Sequence, residues 1–245
     1  MISRQSLDLS SAWLNAAGSL GYTPPSRWPL ELPWGGFVTQ AISRRPRTPA
    51  ESRGLVNFPG GALLHTGWPN PGVRAVIKAH GRRWARAALP VWAHLLAAEP
   101  HEIYEMSRML EGLEGLAALE IGLPPGAPVE LAAGMVAAAG QELPAVAAVP
   151  LNDCCPPLVD ALVKAGAAAL VLGPPRGALP DEKGGLLTGR LYGPALLPLV
   201  LQALRAYQGC GLPLIAGCGV YCQADGEALL AAGAWAVQVD TWLWG

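Results

Sequence analysis

Residues able to do chemistry collect at a few points of the chain. Near the C-terminus Gly217-Cys218-Gly219 follows an apolar run, Leu212–Ala216, and Asp240-Thr241 follows a second one, Ala234–Val239. A glycine-containing turn at a strand's C-terminal end, with a helix start behind it, holds phosphate on backbone N–H groups. Cys218 and Asp240 stand where such a pocket normally wants glycine, so the scaffold is kept and the site altered. A second group is Cys154-Cys155, which with Cys218, Cys222, Glu120, Asp153 and Asp240 offers soft and hard metal donors. There is no Cys-x-x-Cys and no standard zinc spacing, so no metal is expected. Small buried hydrophobes at helix starts are the preferred reading of these thiols. A redox role for Cys155 or Cys222 at a helix N-terminus is the lesser one. Arg44, Arg45, Arg47 and Arg53 could grip a phosphate or carboxylate, but a solvated loop is preferred. His65 and His94, near strand ends in apolar surroundings, read as packed, hydrogen-bonded histidines.

These residues need a scaffold. Short apolar runs without alternation mark parallel strands buried on both faces. They fall at Trp13–Ala17, Gly36–Ala41, Pro90–Leu95, Ala117–Ile121, Ala145–Val149, Ala168–Leu172, Leu212–Ala216 and Ala234–Val239. Helices are expected at Pro71–Ala87, His101–Leu113, Val129–Gly140, Pro156–Ala165, Pro194–Tyr207 and Gln223–Ala232, several ending in Ala-Gly. Eight strands in this alternation predict a closed (β/α)8 barrel occupying residues 1–245 as a single domain, with the first and last strands as neighbours. The Arg-, Pro- and Gly-rich connection Ile42–Gly67 is expected to be irregular.

A net charge of −1 gives no electrostatic reason for nucleic acid or acidic membrane as a partner. Gly and Pro interrupt every long apolar stretch, so no membrane span is expected. The polar start MISRQSLDLSS is unlike a signal peptide, and five cysteines without an export signal suggest a reducing, cytoplasmic setting. Nine tryptophans are many for 245 residues. Trp68, Trp242 and Trp244 could cover the barrel mouth or an interface in a homo- or hetero-oligomer. Filling of space vacated by a lost cofactor explains them equally well.

In order along the chain, NAAGSLGY (15–22), GGFVTQAISRRPR (35–47), GGALLHTGWPNPGV (60–73), ALEIGLPPG, AAVPLN, GPPRG, GRLYGPAL, IAGCGVY and AVQVDTWLW resemble the dihydroorotate dehydrogenase family. The resemblance implies a flavin enzyme on a (β/α)8 barrel that uses FMN. It also implies residue roles that this chain departs from. The lysine that ends the second strand is Gln40, and the asparagine before Gly-x-x-Asn-Pro-Gly is Leu64. Asn-x-Ser-Cys-Pro-Asn on the fourth strand is Glu120, Ile121, Gly122, Leu123, Pro124 and Pro125. The fifth-strand lysine is Ala148, and an Asn-Thr or Asn-Ser pair is Pro174-Pro175.

Oxidising a dihydropyrimidine needs a base for a carbon-bound proton while hydride leaves to the flavin. Leu123 has no lone pair. Gln40 can donate a hydrogen bond, whereas Ala148 offers nothing to a developing negative charge. The three lysines, Lys78, Lys164 and Lys183, fall on helices or in a loop. Asp240 would set a negative charge near the flavin phosphate. Gln40, Glu120, Leu123 and Ala148 therefore read as degenerate catalytic positions, and oxidation of dihydroorotate is not expected. Whether the chain is an enzyme stays open. The leading expectation is a non-catalytic binding or assembly subunit without a cofactor. It would keep a residual site for a phosphate-bearing small molecule at Ala17, Gly18, Ser19, Gly217, Cys218, Gly219, Asp240 and Thr241. One alternative is an FMN-binding oxidoreductase held by backbone contacts. Another is a barrel enzyme with new chemistry on Glu120, Asp240 and the rim cysteines.

Overall fold

A computed structural model of the chain describes residues 7–140, 142–181 and 184–244, so the expectation for Lys183 lies outside the described residues. In chain order the strands and helices are β1 (Trp13–Asn15), β2 (Trp34–Val38), β3 (Ile42–Ser43), β4 (Gly54–Phe58), β5 (Gly61–His65), α1 (Val73–Trp84), β6 (Val91–Leu96), α2 (Pro100–Leu110), β7 (Leu116–Gly122) and α3 (Val129–Ala139). They continue as β8 (Ala145–Pro150), α4 (Pro156–Lys164), β9 (Ala169–Gly173), β10 (Arg176–Pro180), β11 (Leu186–Tyr192), α5 (Leu197–Tyr207), β12 (Leu214–Ala216), α6 (Gln223–Ala231) and β13 (Ala236–Val239).

Eight parallel strands close on themselves in the order β2-β1-β13-β12-β9-β8-β7-β6 and back to β2. All eight apolar runs supply a barrel strand, and β1 lies beside β13 with Trp13 opposite Val237 and Asn15 opposite Val239. Where the β1–β2 register slips, the Asn15 amide clamps the pair, donating to Val38 O at 2.7 Å and accepting from Val38 N at 2.9 Å. The barrel interior is a separate apolar cluster of Leu14, Val38, Trp92, Ala118, Val146, Ala169, Val171, Ile215 and Ala236. One large ring, Trp92, is accommodated by the small residues Ala118, Ala169 and Ala236, as volume conservation in a filled barrel requires. A larger cluster packs the outer strand faces against the helices. Helices α2 and α4 start on proline, whose missing N–H costs nothing in a first turn.

Two expectations are corrected. The 42–67 connection is not irregular: it carries β3 and the hairpin β4–β5, whose turn is Pro59-Gly60 with Gly60 at φ 92°. A second hairpin, β10–β11, joins it, and the order β10-β11-β5-β4 makes a four-stranded antiparallel cap. The cap strands are only half-buried and alternate, so their apolar content is diluted by Arg, Gly and Pro and no continuous run marks them. The helix expected at Pro194–Tyr207 opens with a 3-10 turn, Pro194–Leu196, before α5. Among the described residues no helix is long and apolar enough to cross a membrane.

Candidate active site at the barrel mouth

Between the C-terminal ends of the barrel strands and the cap lies a cavity of about 440 Å³. That volume is within the ~300–1,000 Å³ range of small-molecule and cofactor sites, at the face where barrels of this kind carry them.

The floor follows from strand periodicity. Two residues beyond the interior layer, on the same face, Trp92 leads to His94, Ala118 to Glu120, Val146 to Ala148 and Ala236 to Gln238. All four line the cavity. Parallel register sets His94 beside Glu120, and their side chains meet at 2.7 Å, His94 Nδ1 to Glu120 Oε1. Gln238 Nε2 donates to the other carboxylate oxygen at 2.5 Å. His94, Glu120 and Gln238 are 5%, 1% and 2% exposed, so this network is inside the protein and not on its rim. With Glu120 accepting at Nδ1–H, the neutral imidazole carries its lone pair on Nε2. That nitrogen is buried and has no partner among the described residues. Gly122 makes the room: a Cβ there would sit 2.8 Å from Nε2 and 2.6 Å from Leu96 Cδ2. Glu120, Gly122 and His94 therefore form one physical unit.

The turn after β12 forms one corner. Gly217 lines the cavity, whereas the Cys218 side chain is fully buried in the strand–helix core, 3.9 Å from Leu172 O. Burial, and then the Asp240 charge, push its thiol well up. Cys218 thus does not obstruct the turn. The N–H groups of Cys218, Gly219 and Val220 have no hydrogen-bond partner among the described residues. Asp240, 3% exposed, is the real alteration. Its Oδ1 accepts from Thr241 N–H at 2.5 Å and Thr241 Oγ1 at 3.0 Å, so both Thr241 donors are engaged within the protein. Its Oδ2 is buried without a partner. Burial raises the carboxyl to about 6, partly offset by the Thr241 hydrogen bonds and Arg190.

The roof is cationic. The Arg190 guanidinium carbon lies 3.5 Å from the Trp68 ring centroid, and the Trp68 ring is 5.5 Å from that of His94. Trp68 is held at φ 55° by a turn that Asn70 ties together, accepting from Ser43 N and Gly72 N and donating to Trp68 O. Burial lowers the affinity of Arg190 for its proton and pushes Tyr192 up to about 12.

Of the residues singled out in the sequence, Ala17, Ser19, Glu120, Leu123, Ala148, Gly217 and Asp240 reach the cavity wall. Gln40 does not; its amide turns to Pro69 O at 3.4 Å. Gly18 lies under Trp68, where a Cβ would meet the ring at 2.8 Å. Gly219 and Thr241 adjoin the wall without lining it. Cys154 and Cys155 are outside the cavity, and burial raises the Cys154 thiol to about 11. Among the described residues no three His, Cys, Asp or Glu side chains are placed to share a metal ion. Trp68 and Trp244, two of the three tryptophans considered as covers of the barrel mouth, line the cavity; His94, read as a packed residue, and Gln238 and Arg190 are the site residues that motif reading missed. The step of two from Trp92 to His94 was the one available signal.

No family model matches the chain. It is 30% identical over 259 residues to a protein from Pelobacter propionicus named dihydroorotate dehydrogenase B (NAD(+)), catalytic subunit, covering 96% of this chain and 84% of the relative. The chain belongs to the dihydroorotate dehydrogenase family. Relatives of the same name from Desulforudis audaxviator and Trichlorobacter lovleyi are 28% and 29% identical, each over 96% of the chain and over 83% and 84% of their own lengths. A solved structure of a FabK mutant from Thermotoga maritima aligns with a TM-score of 0.45 and 18% identity over 71% of this chain and 50% of its own.

Membership overturns the expectation of a chain without a cofactor, because the family's chemistry is that of FMN. The cavity agrees with the correction. It has the volume; Gly217 at one corner opens a turn whose next three N–H groups have no partner among the described residues, and His94, with its unpartnered Nε2, lies on the floor. Asp240 Oδ2 fits a phosphate only when protonated, and a carboxyl raised to about 6 is within reach of that state.

Proposed function

We propose that the protein is an FMN-binding oxidoreductase whose substrate is not dihydroorotate, and whose proton-handling group is His94. Family membership and the cavity support the first part. The observation that carries the second is His94 Nε2, buried, unpartnered and backed by Glu120. When bound, FMN supplies hydride transfer. The residues that would hold it are the Gly217–Val220 backbone and the wall at Ala16, Ala17 and Ser19. Neutral His94 accepts a proton at Nε2; Glu120, fixed by Gln238, orients the ring and stabilises the imidazolium that results. An oriented His–carboxylate pair of this kind is the usual arrangement of a general base. Leu123, at the cavity wall, excludes water and does no proton chemistry. The non-catalytic subunit reading is less well supported, since a scaffold has no use for an unsatisfied buried nitrogen on a ring held by Glu120.

The visible spectrum of the purified protein, followed by FMN titration, tests the cofactor. A flavin band, or stoichiometric binding at micromolar FMN, is expected; failure to bind FMN at millimolar concentration sinks the proposal. Dihydroorotate with fumarate, quinone or NAD as acceptor should give no ordinary turnover. His94 is tested by ¹⁵N-histidine NMR. The Nδ1–H tautomer is expected in the wild type and its loss in Glu120→Leu.

A further inference from the structure

Arg176 and Arg190 stand directly opposite each other across the β10–β11 pair, and both line the cavity. Like charges in that position repel. Neither side chain has a hydrogen bond or salt bridge among the described residues. The other charged and titratable groups around them are few. His65 lies beside both arginines, whose charges, after burial, lower its proton affinity. Asp240 attracts Arg190 from the barrel side without coming into salt-bridge range. Tyr192 flanks Arg190 with its ring centroid 5.8 Å from the guanidinium. With its guanidinium carbon 3.5 Å from the Trp68 ring centroid, Arg190 has N–H groups without a hydrogen-bond partner among the described residues, and a guanidinium fork binds carboxylate or phosphate through two parallel hydrogen bonds. An uncompensated pair of arginines over a cavity is a stability cost that functional sites retain and structural ones lose.

We propose that Arg176 and Arg190 form an anion-recognition site on the cap, which grips a carboxylate or phosphate of the substrate from above the cavity. This rests on the oxidoreductase reading for the word substrate, but the site itself does not need flavin. It also accounts for the positions below. Leu123 and Ala148, at the ends of barrel strands, offer an anion no donor, and the cap supplies the donors instead.

The probes are orotate, fumarate and inorganic phosphate, titrated by calorimetry into the protein as purified and again after FMN loading, at low ionic strength. At least one probe should bind the wild type, and Arg190→Gln or Arg176→Gln should weaken it about tenfold or more, since charge-assisted hydrogen bonds are lost. Arg190→Lys should recover only part, because the charge returns without the fork. Arg176→Gln should also raise the melting temperature of the ligand-free protein at low salt, by relieving the repulsion; that readout needs no ligand and shows that the variant is folded. FMN and riboflavin affinities should shift together, if at all. The site is overturned if no probe binds the wild type, if the glutamine variants bind as well as the wild type, or if they lose FMN selectively over riboflavin. The last outcome would assign the arginines to the cofactor's phosphate. If no flavin binds but the probes do, the oxidoreductase reading fails and the anion site stands.

Discussion

Strands β6 to β9 of the barrel bury nearly every side chain on both faces, whereas β4 and β10 of the cap alternate half-buried with exposed residues. The contrast extends to the polar groups. On the barrel side, Glu120 and Gln238 are fully committed to each other and to His94, leaving one free nitrogen. On the cap side, Arg176 and Arg190 reach the same cavity without a hydrogen-bond or salt-bridge partner among the described residues, Arg190 resting on the Trp68 ring. The barrel floor is a packed, hydrogen-bonded network with His94 Nε2 and Asp240 Oδ2 left over, and the cap carries cations with donors left for a ligand. Precision of proton placement belongs to the first and recognition of charge to the second.

The comparison predicts its largest difference in stability. Trp92 fills the barrel interior at 1% exposure, and Trp92→Ala should cost about 3–5 kcal/mol, as large buried aromatics do. Leu55, 58% exposed on the cap, should change stability by no more than about 0.5 kcal/mol when replaced by Ala. Urea denaturation midpoints measure both. Comparable losses would mean that the cap is as much core as the barrel, and would break the distinction.

The same difference decided what could be read in advance. Parallel strands buried on both faces announce themselves as apolar runs, so eight strands, their order and the closure were legible. The cap was not, because Arg, Gly and Pro interrupt its strands and its hairpin turn resembled a loop. Within the site, the Gly217 turn and Asp240 were legible as a strand-end pattern. The Glu120 network was not, since its partners lie 26 and 118 residues away in sequence and only barrel closure brings them together. Gln40 failed for a local reason: the strand ends at Val38, and its side chain turns out of the cavity to Pro69.

Asp240 belongs to the barrel side, and its nearest cation, Arg190, to the cap, so it tests how well one side compensates the other. Its carboxyl is raised from 3.8 to about 6, burial being the main cause. The folded state therefore holds a proton that the unfolded chain releases earlier. Stability from this group is complete below the unfolded value and is lost as pH rises through about 6. Asp240→Asn should stabilise the protein at pH 7 by on the order of 2–3 kcal/mol and gain nothing at pH 4. Thermal melts across pH check this. In the wild type, affinity for FMN relative to riboflavin should rise as pH falls through the same window, and in Asp240→Asn it should be flat. No stability gain at pH 7 would mean that Arg190 already holds the carboxylate ionised.

Two glycines sharpen the contrast at smaller scale. In Gly122→Ala the new methyl meets the His94 ring and Leu96 on the packed floor, and a cost of about 1–3 kcal/mol is expected, with disturbance of the His94 resonances. In Gly177→Ala on the cap the contacts are the three branch atoms of Leu191, at 2.9 to 3.2 Å, and that partly buried side chain can rotate away. Its cost should stay under about 1 kcal/mol. Chemical denaturation of the pair gives the ranking, and the reverse order would place the rigid surface on the cap.

The smallest expected effect is at Cys218, which stands beside Gly217 in sequence but faces the other way in space. Its side chain is fully buried among the strand–helix contacts and reaches toward Leu172 O, away from the cavity wall. Only its backbone N–H belongs to the candidate phosphate corner, and substitution by Ala leaves that group in place. Cys218→Ala should therefore behave as a barrel-wall substitution, losing about 1 kcal/mol of stability for the sulfur contacts it removes. FMN affinity should change by less than about twofold, because the free N–H groups at 218–220 are unaltered. Asp240→Asn, at the other position that departs from glycine, should change the same affinity far more at pH 7. Equilibrium FMN titration of the two variants side by side is the measurement. If Cys218→Ala moves FMN binding as much as Asp240→Asn does, the turn is held by its side chain, and the boundary drawn between packed wall and ligand corner lies in the wrong place.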